Sequence, residues 1–300
     1  MLQHLQQSIL ILPDALRCDS TGMYLRPFTN TGYLSPDGYL STSIRSYYKI
    51  YYMKKLFGYN LYLQDRATLI QELKHNIALG QTSTVISLNT LKLYQGSRSK
   101  YLASLFQSGT HIIPDGQSIA LAEYLVHGNR ISAISGAELM VELIKESARC
   151  GYKIFFLGSP RELLDRVSAK IEKDYPQLKD KVAFQDGYYD VAHEGEVVSK
   201  IADFEPDFLF VAFGSPRKEE FIIKYHSRLN AKVIMGVGGS YEYFVGDVKL
   251  DPLTKKLGLR WLVRTLQDPA RLAKRYAVCN SYFLYALIRE MLYSRRRSAY

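Results

Sequence analysis

The chain has 300 residues, of which 47% are apolar and 13% aromatic, so it can build a substantial core, and an intrinsically disordered protein is excluded. Its 39 Lys and Arg residues against 29 Asp and Glu give a formal charge of +10. Three widely spaced cysteines exclude a disulfide framework. The longest aliphatic run, residues 9–12, is far below the ~18 residues of a membrane span, and we expect a cytoplasmic protein.

Residues 1–55 form a segment of unusual composition. Nine tyrosines fall between Tyr24 and Tyr62, and turn-forming residues interrupt the segment at 29–32 and 36–38. No helical or strand period is visible. We predict an irregular N-terminal extension, either a linker or an arm that is ordered in part.

Residues 56–250 alternate between short apolar runs and longer amphipathic segments. We predict strands over residues 84–88, 111–113, 153–157, 181–184, 208–213 and 232–237. Helices are predicted over 65–79, 117–127, 137–150, 161–175, 194–204 and 217–229. Such alternation is typical of the α/β class, and we predict a single Rossmann-like domain with a mainly parallel sheet. Ligands of such folds bind at the carboxyl ends of the strands.

Residues 251–300 are predicted to form a helical, basic C-terminal appendage. Its helices cover 257–266 and a longer segment that starts at Pro269. The final 41 residues hold nine basic and two acidic side chains, which is +7 of the total charge. The second helix has one apolar stripe, made by Leu284, Leu287, Ile288, Met291 and Leu292. It could be a docking helix with a solvated tail, but basic and aromatic residues together favour an anionic membrane surface.

Three strand ends carry glycines that suit a bound phosphate. Residues 158–160 and 214–216 both read Gly-Ser-Pro between a predicted strand and a helix, and residues 236–239 read Gly-Val-Gly-Gly. Glycine permits a tight turn, and the free N–H groups of a helix start bind anions. Each one alone is ordinary turn chemistry. Together they suggest a phosphate-bearing ligand such as a nucleotide sugar.

Other familiar site patterns are missing from the sequence. It has no GxxxxGK[ST] motif and no GxGxxG after the first predicted strand, which argues against a P-loop NTPase and a typical dinucleotide dehydrogenase. The six histidines show no ligand spacing. We therefore predict no metal site.

Two strand ends carry polar side chains that could do chemistry. Asn89 and Thr90 follow the first predicted strand, and Asp115 follows the second and precedes Gly116. A general base needs a carboxylate at the crevice, which is where Asp115 is expected. The alternative for this Asp-Gly pair is a plain turn or helix cap.

Taken together, these motifs resemble those of the WecG/TagA/CpsF family of bacterial glycosyltransferases. Seven ordered blocks between Phe57 and Tyr276 carry the resemblance. They lie at residues 114–116, 136–139, 156–160, 186–189, 206–216, 236–239 and 259–276.

The resemblance implies an inverting transferase that moves N-acetylmannosamine, its uronic acid or a related sugar from UDP to a polyprenyl-diphosphate-linked acceptor. The product belongs to cell-surface polysaccharide biosynthesis, and the enzyme is expected on the inner face of the plasma membrane. No metal or other cofactor and no nucleic acid is implied, and a homo-oligomer stays open. Our prediction of metal-independent turnover also rests on the absence of a suitable Asp-x-Asp pair.

Carried over residue by residue, the resemblance implies Asp115 as the catalytic base, with Asn89 beside the sugar. Arg264, Arg271 and Arg275 are implied to approach the diphosphates. The remaining implied substrate-binding residues are Thr90, Gly116, Gly136, Gly158, Ser159, Gly187, Gly214, Ser215, Lys218, Glu219, Gly238, Gly239 and Glu242.

Four blocks depart from the family pattern. Pro-Lys-Gln-Glu reads Pro-Arg-Lys-Glu at 216–219, and Gly-Ser-Phe-Asp reads Gly-Ser-Tyr-Glu at 239–242. Arg-Ala-Pro reads Leu-Asp-Pro at 250–252, and Leu-Glu-Trp reads Leu-Arg-Trp at 259–261. The gained cations Lys218 and Arg260 suggest an acidic donor sugar, whereas Leu250 in place of an arginine, followed by Asp251, points the other way.

Two alternative functions stay open on the sequence alone. The departures are compatible with a catalytically inactive, membrane-associated scaffold of the same fold. The basic tail is compatible with a nucleic-acid-binding protein, although no recognition motif supports it.

Overall fold

The computed structural model describes residues 55–247 and 269–297, together with positions 262, 265 and 266. Residues 1–54 of the predicted extension over 1–55 and most of the predicted helix over 257–266 lie outside the described residues. All of the described residues belong to one unit, Lys55–Tyr300.

The described residues form one sheet with helices between its strands. The strands are β1 (Ser83–Leu88), β2 (His111–Pro114), β3 (Ile154–Gly158), β4 (Val182–Gln185), β5 (Phe208–Ala212) and β6 (Val233–Gly236). The helices are α1 (Arg66–Ala78), α2 (Thr90–Arg98), α3 (Lys100–Gln107), α4 (Gln117–His127), α5 (Gly136–Cys150), α6 (Arg161–Asp174), α7 (Glu194–Phe204), α8 (Arg217–Tyr225), α9 (Ser240–Val245) and α10 (Pro269–Arg297). Short 3₁₀ turns lie at Pro176–Leu178 and Val191–His193.

The sheet is parallel throughout, in the order β2-β1-β6-β5-β3-β4. The predicted α/β class with a mainly parallel sheet is therefore confirmed. The chain builds β1 and β2 at one edge, crosses to β3 and β4 at the other, and returns to the centre with β5 and β6. This return brings the carboxyl ends of β1 and β6 side by side, with β2 next to β1.

Both faces of the sheet are covered because successive strand side chains point to opposite sides. Phe156, Phe208 and Phe210 pack against α1, α5, α6 and α9 on one face. Phe155 and Leu209 pack against α7 and α8 on the other. On that same face α2, α3, α4 and α10 cover the β1–β2 edge.

The structure contains two helices, α2 and α3, for which we made no prediction. Asn89 caps α2 by accepting from the Lys92 N–H, and Ser99 caps α3 by accepting from the Leu102 N–H. Both helices are short, at 9 and 8 residues, and Ser99 separates them. Such short segments show too few turns for a helical period to stand out in sequence.

The apolar stripe predicted on the last helix is divided in α10. Leu287 and Met291 pack with Phe283 against the core beneath α2 and α4. Leu284, Ile288 and Leu292 are 57–59% exposed and lie on the opposite side. No helix among the described residues is both long enough and apolar enough to cross a membrane.

Gly158 ends β3 at a point where a side chain does not fit. Its φ is +103°, and a Cβ would stand 2.9 Å from the carbonyl carbon of Ala212 on β5. We expect Gly158→Ala to lower the free energy of unfolding by about 2 kcal/mol or more, because backbone strain and overpacking add. Urea denaturation measures this loss.

The matched control for Gly158 is Gly195, which lies in α7. Nothing lies within 4 Å of its Cβ position, and its φ is not positive. Gly195→Ala is expected to stabilise the protein by up to roughly 1 kcal/mol. Equal effects of the two substitutions would contradict the steric argument.

Candidate active site

A cavity of about 380 Å³ opens at the carboxyl ends of β1, β2 and β6. Asn89 follows β1, Asp115 follows β2, and the turn of residues 236–239 ends β6; all three line the cavity. Ser215, in the turn after β5, and Lys218, in the first turn of α8, also line it. The cavity is thus at the crevice where parallel α/β sheets bind ligands.

Asp115 is held at the cavity wall by its own backbone. Its N–H donates to the Leu88 carbonyl at 2.8 Å, which extends the β1–β2 pairing by one residue. Gly116 follows with a φ of +100°, so the chain turns sharply into α4. The Asp115 side chain is half-buried and faces the cavity instead of continuing the strand.

Asn89 orients its amide toward this carboxylate. Its Oδ1 accepts from the Lys92 N–H at 3.1 Å, which fixes the side chain as the cap of α2. The remaining Nδ2 lies 3.5 Å from Asp115 Oδ2. Asn89 therefore presents a donor to Asp115, an arrangement that suits an ionised carboxylate acting as a base.

Several helices begin at the cavity. Thr90 and Leu91 of α2, Gln117 and Ser118 of α4, and Gly136 and Ala137 of α5 all contribute to its wall. The N–H groups of a first helical turn have no partner within the helix, and the helix dipole adds partial positive charge there. The cavity is therefore suited to a ligand that carries phosphate.

A buried ion cluster lies on the α8 side of the cavity. Glu219 Oε1 is 2.9 Å from Lys92 Nζ and 3.3 Å from Lys218 Nζ, and none of the three side chains is more than 10% exposed. Burial lowers the pKa of the Lys92 ammonium to about 8, although Glu219 opposes this shift. Burial also acts to raise the pKa of the Glu219 carboxyl, but Lys92 and Lys218 outweigh it and leave that pKa below its usual value.

The last long helix, α10, closes one side of the cavity. Arg275, Tyr276, Cys279 and Asn280 from its first half line the wall. The helix is anchored farther along by Phe283, which is buried against the α2–α4 layer. Of the described side chains in the predicted basic appendage, Arg275 is the arginine that lines the cavity.

Ten of the predicted site residues come together in this cavity. They are Asn89, Thr90, Asp115, Gly116, Gly136, Ser215, Lys218, Gly238, Gly239 and Arg275. Glu219 lies immediately behind the wall in contact with Lys92 and Lys218. Glu242 lies on the first turn of α9, with its carboxylate 3.5 Å from the Cβ position of Gly239.

Four further predicted residues do not line the cavity. Gly158, Ser159 and Gly187 pack together near Phe213, where the Gly187 N–H donates to the Ser159 carbonyl at 3.0 Å. Gly214 is exposed and directly precedes Ser215. The glycines at 158 and 187 serve close backbone packing in this structure.

Some predicted positions fall outside the described part of the chain. Arg264, Leu250, Asp251 and Arg260 are among them, and so is the side chain of Arg271, whose backbone belongs to α10. Among the residues that are described, no group of three or more His, Cys, Asp or Glu side chains could hold a metal ion.

The sequence reasoning missed several residues of the cavity wall, namely Lys92, Tyr243, Tyr276, Cys279 and Asn280. Lys92 had a usable signal, because it is the third residue after the cap Asn89 and so belongs to the first turn of α2. Cys279 and Asn280 on α10 had no such signal, since only the tertiary packing of that helix brings them to the sheet.

The sequence is similar to those of known proteins. A family model described as the WecG/TagA/CpsF glycosyl transferase family matches residues 54–297. The chain is similar to N-acetylglucosaminyldiphosphoundecaprenol N-acetyl-beta-D-mannosaminyltransferases of Staphylococcus aureus. It is 33% identical to that of strain MRSA252 and 32% identical to that of strain MW2, each over 182 residues, or 60% of this chain and 70% of the relative.

Proposed function

Since the chain belongs to the WecG/TagA/CpsF family of glycosyl transferases, we propose that it moves N-acetylmannosamine, its uronic acid or a related sugar from a UDP-sugar to a polyprenyl-diphosphate-linked acceptor. The observation that carries this proposal is the placement of Asp115. Its carboxylate faces a cavity formed by three strand ends and by the first turns of several helices.

In the proposed inverting transfer, Asp115 accepts the proton of the acceptor hydroxyl. The acceptor oxygen attacks the anomeric carbon from the side opposite the nucleotide, and the bond from that carbon to the diphosphate oxygen breaks. The electron pair of the broken bond leaves with UDP. Helix N-termini and Arg275 at the cavity wall are suited to stabilise that growing charge without a metal.

The direct test is UDP release by the purified full-length chain. It uses a panel of UDP-sugars with a lipid-diphosphate-linked N-acetylglucosamine acceptor, and reactions without acceptor serve as the control. We expect acceptor-dependent release with one donor or a few related donors. No release with any donor would contradict the proposal and support the inactive scaffold instead.

The acceptor is anchored in a membrane, and we propose that α10 meets that surface on the cytoplasmic side. Leu284, Ile288 and Leu292 form an exposed apolar face on α10, and Arg289 is exposed beside them. A helix with such a face and basic neighbours binds the interface of an anionic bilayer.

We expect the triple substitution Leu284→Gln, Ile288→Gln and Leu292→Gln to lower the affinity for anionic vesicles at least tenfold, as measured by cosedimentation. A loss of ~1.5 kcal/mol of apolar binding free energy is enough for a tenfold change. The matched control is Leu79→Gln at the end of α1, where the leucine is 57% exposed. Unchanged sedimentation of the triple variant would contradict the proposed membrane contact.

A further inference from the structure

Among the described residues that line the cavity, positively charged side chains outnumber carboxylates. Lys92, Lys218 and Arg275 line it as cations, against Asp115 as the lining carboxylate. Arg275 is exposed on α10, whereas the two lysines are at least nine-tenths buried. The lysines are therefore the feature that the proposed base and the helix N-termini do not explain.

Lys92 and Lys218 share one carboxylate. Both ammonium groups approach the same oxygen of Glu219, Oε1, at 2.9 and 3.3 Å. Glu219 is the carboxylate that contacts both ammonium groups, and Asp115 is a further negative charge that acts on Lys92. Burying two ammonium groups is costly unless each of them is paired. The lowered pKa of Lys92, about 8, is the expected response to such burial. Lys218 is the more distant of the two from the shared oxygen, and a ligand anion at the cavity wall would give its ammonium group a closer partner.

Lys218 is placed to meet such an anion. Its aliphatic stem lies across the end of β6, so close that a Cβ on Gly236 would be 2.9 Å from Lys218 Cδ. Its Nζ is 3.9 Å from the Cβ position of Gly238, at the turn that leads to α9. A side chain at position 236 would therefore displace the stem of Lys218 from its path across the strand end to the cavity.

We propose that Lys218, supported by Lys92 through Glu219, binds the diphosphate of the nucleotide donor. This inference rests on the proposed function. It names the residues that supply positive charge at the leaving diphosphate. When the anomeric bond breaks, the electron pair stays on the terminal phosphate oxygen, and Lys218 is the buried cation that neutralises it. Lys92 acts through Glu219 and is a positioning residue.

The test compares the binding of UDP and of uridine by calorimetry in the wild-type chain and in Lys218→Gln. We expect UDP affinity to fall by about 10- to 100-fold, the scale of a lost charge-assisted hydrogen bond, and uridine affinity to stay the same. Unchanged uridine binding also shows that the variant is folded. The matched control is Lys173→Gln on the exposed surface of α6, where both affinities are expected to match the wild type.

Three results would overturn the inference. If the folded Lys218→Gln variant binds UDP with the affinity of the wild type, Lys218 does not bind the diphosphate. If Lys218→Gln keeps the wild-type affinity for UDP but binds a UDP-hexuronate more weakly than the wild type does, Lys218 binds a sugar carboxylate instead. A wild-type chain that binds neither UDP nor uridine would reject the proposed donor itself, which separates failure of the proposed function from failure of this inference.

Discussion

Replacing Asp115 by Asn is expected to lower kcat by about 10²- to 10⁴-fold, the contribution of a positioned general base. The amide keeps the size of the carboxylate but does not accept the proton of the acceptor hydroxyl. The hydrogen bond from the Asp115 N–H to Leu88 involves only the backbone, so the wall of the cavity should persist. Steady-state release of UDP from the best donor measures the loss.

The controls for Asp115→Asn separate chemistry from binding. UDP affinity measured by calorimetry should change less than about threefold, because the helix N-termini and Lys218 remain. Asp203→Asn, at an exposed position of α7, removes a carboxylate that does not line the cavity and should leave kcat within a factor of about two. Full activity of Asp115→Asn would reject Asp115 as the base.

The second large effect concerns stability. Glu219→Gln is expected to lower the free energy of unfolding at pH 7 by about 3–5 kcal/mol, because the amide removes the carboxylate that contacts the buried ammonium groups of Lys92 and Lys218. Urea denaturation measures it. Glu162→Gln, exposed on the first turn of α6, is the matched control and should cost less than about 1 kcal/mol.

The cost of Glu219→Gln should depend on pH in a defined direction. The pKa of Lys92 in the folded chain, about 8, lies below the ordinary lysine value of 10.5. Between these pH values the folded state binds fewer protons than the unfolded state. The contribution of Lys92 to wild-type stability therefore rises with pH across this window. Lys218 and Glu219 on α8 and Asp115 after β2 are the charged groups that act on it.

Above pH 8 most Lys92 side chains are neutral in the folded wild type, so Glu219 then has only Lys218 to neutralise. The difference between Glu219→Gln and the wild type should therefore be larger at pH 7 than at pH 9. A difference below about 1 kcal/mol at pH 7, or one that grows with pH, would contradict the role assigned to the cluster.

Much of the fold was predictable from local pattern. The alternation of apolar strands with amphipathic helices predicted all six described strands and the α/β class, because side-chain period depends only on neighbouring residues. The short helices α2 and α3 were not predicted, and α8 ends at Tyr225, four residues before the predicted end at 229. Helix ends and short helices depend on single caps and on tertiary packing, which a period does not report.

The site was predictable in its parts. Asp115 and Asn89 were identified as polar residues at strand ends, and the parallel sheet brings those ends to one edge. Gly158 was predicted as a strand-end residue and Gly187 only through the resemblance; in the structure both pack closely near Phe213 and neither lines the cavity. Local sequence does not distinguish a glycine that admits a ligand from one that admits a neighbouring strand.

The sequence alone therefore determined the fold class, the strand ends that carry polar groups and the concentration of basic charge near the C-terminus, since each depends on composition or on the spacing of nearby residues. Only the tertiary structure decided which strand ends form one cavity. It also paired Lys92 with Glu219, 127 positions apart, and placed Arg275 at the wall. The physical reason is that the neighbours of each strand are set where the chain crosses the sheet between β2 and β3 and returns to its centre with β5 and β6. Such long-range pairing leaves no period in the sequence.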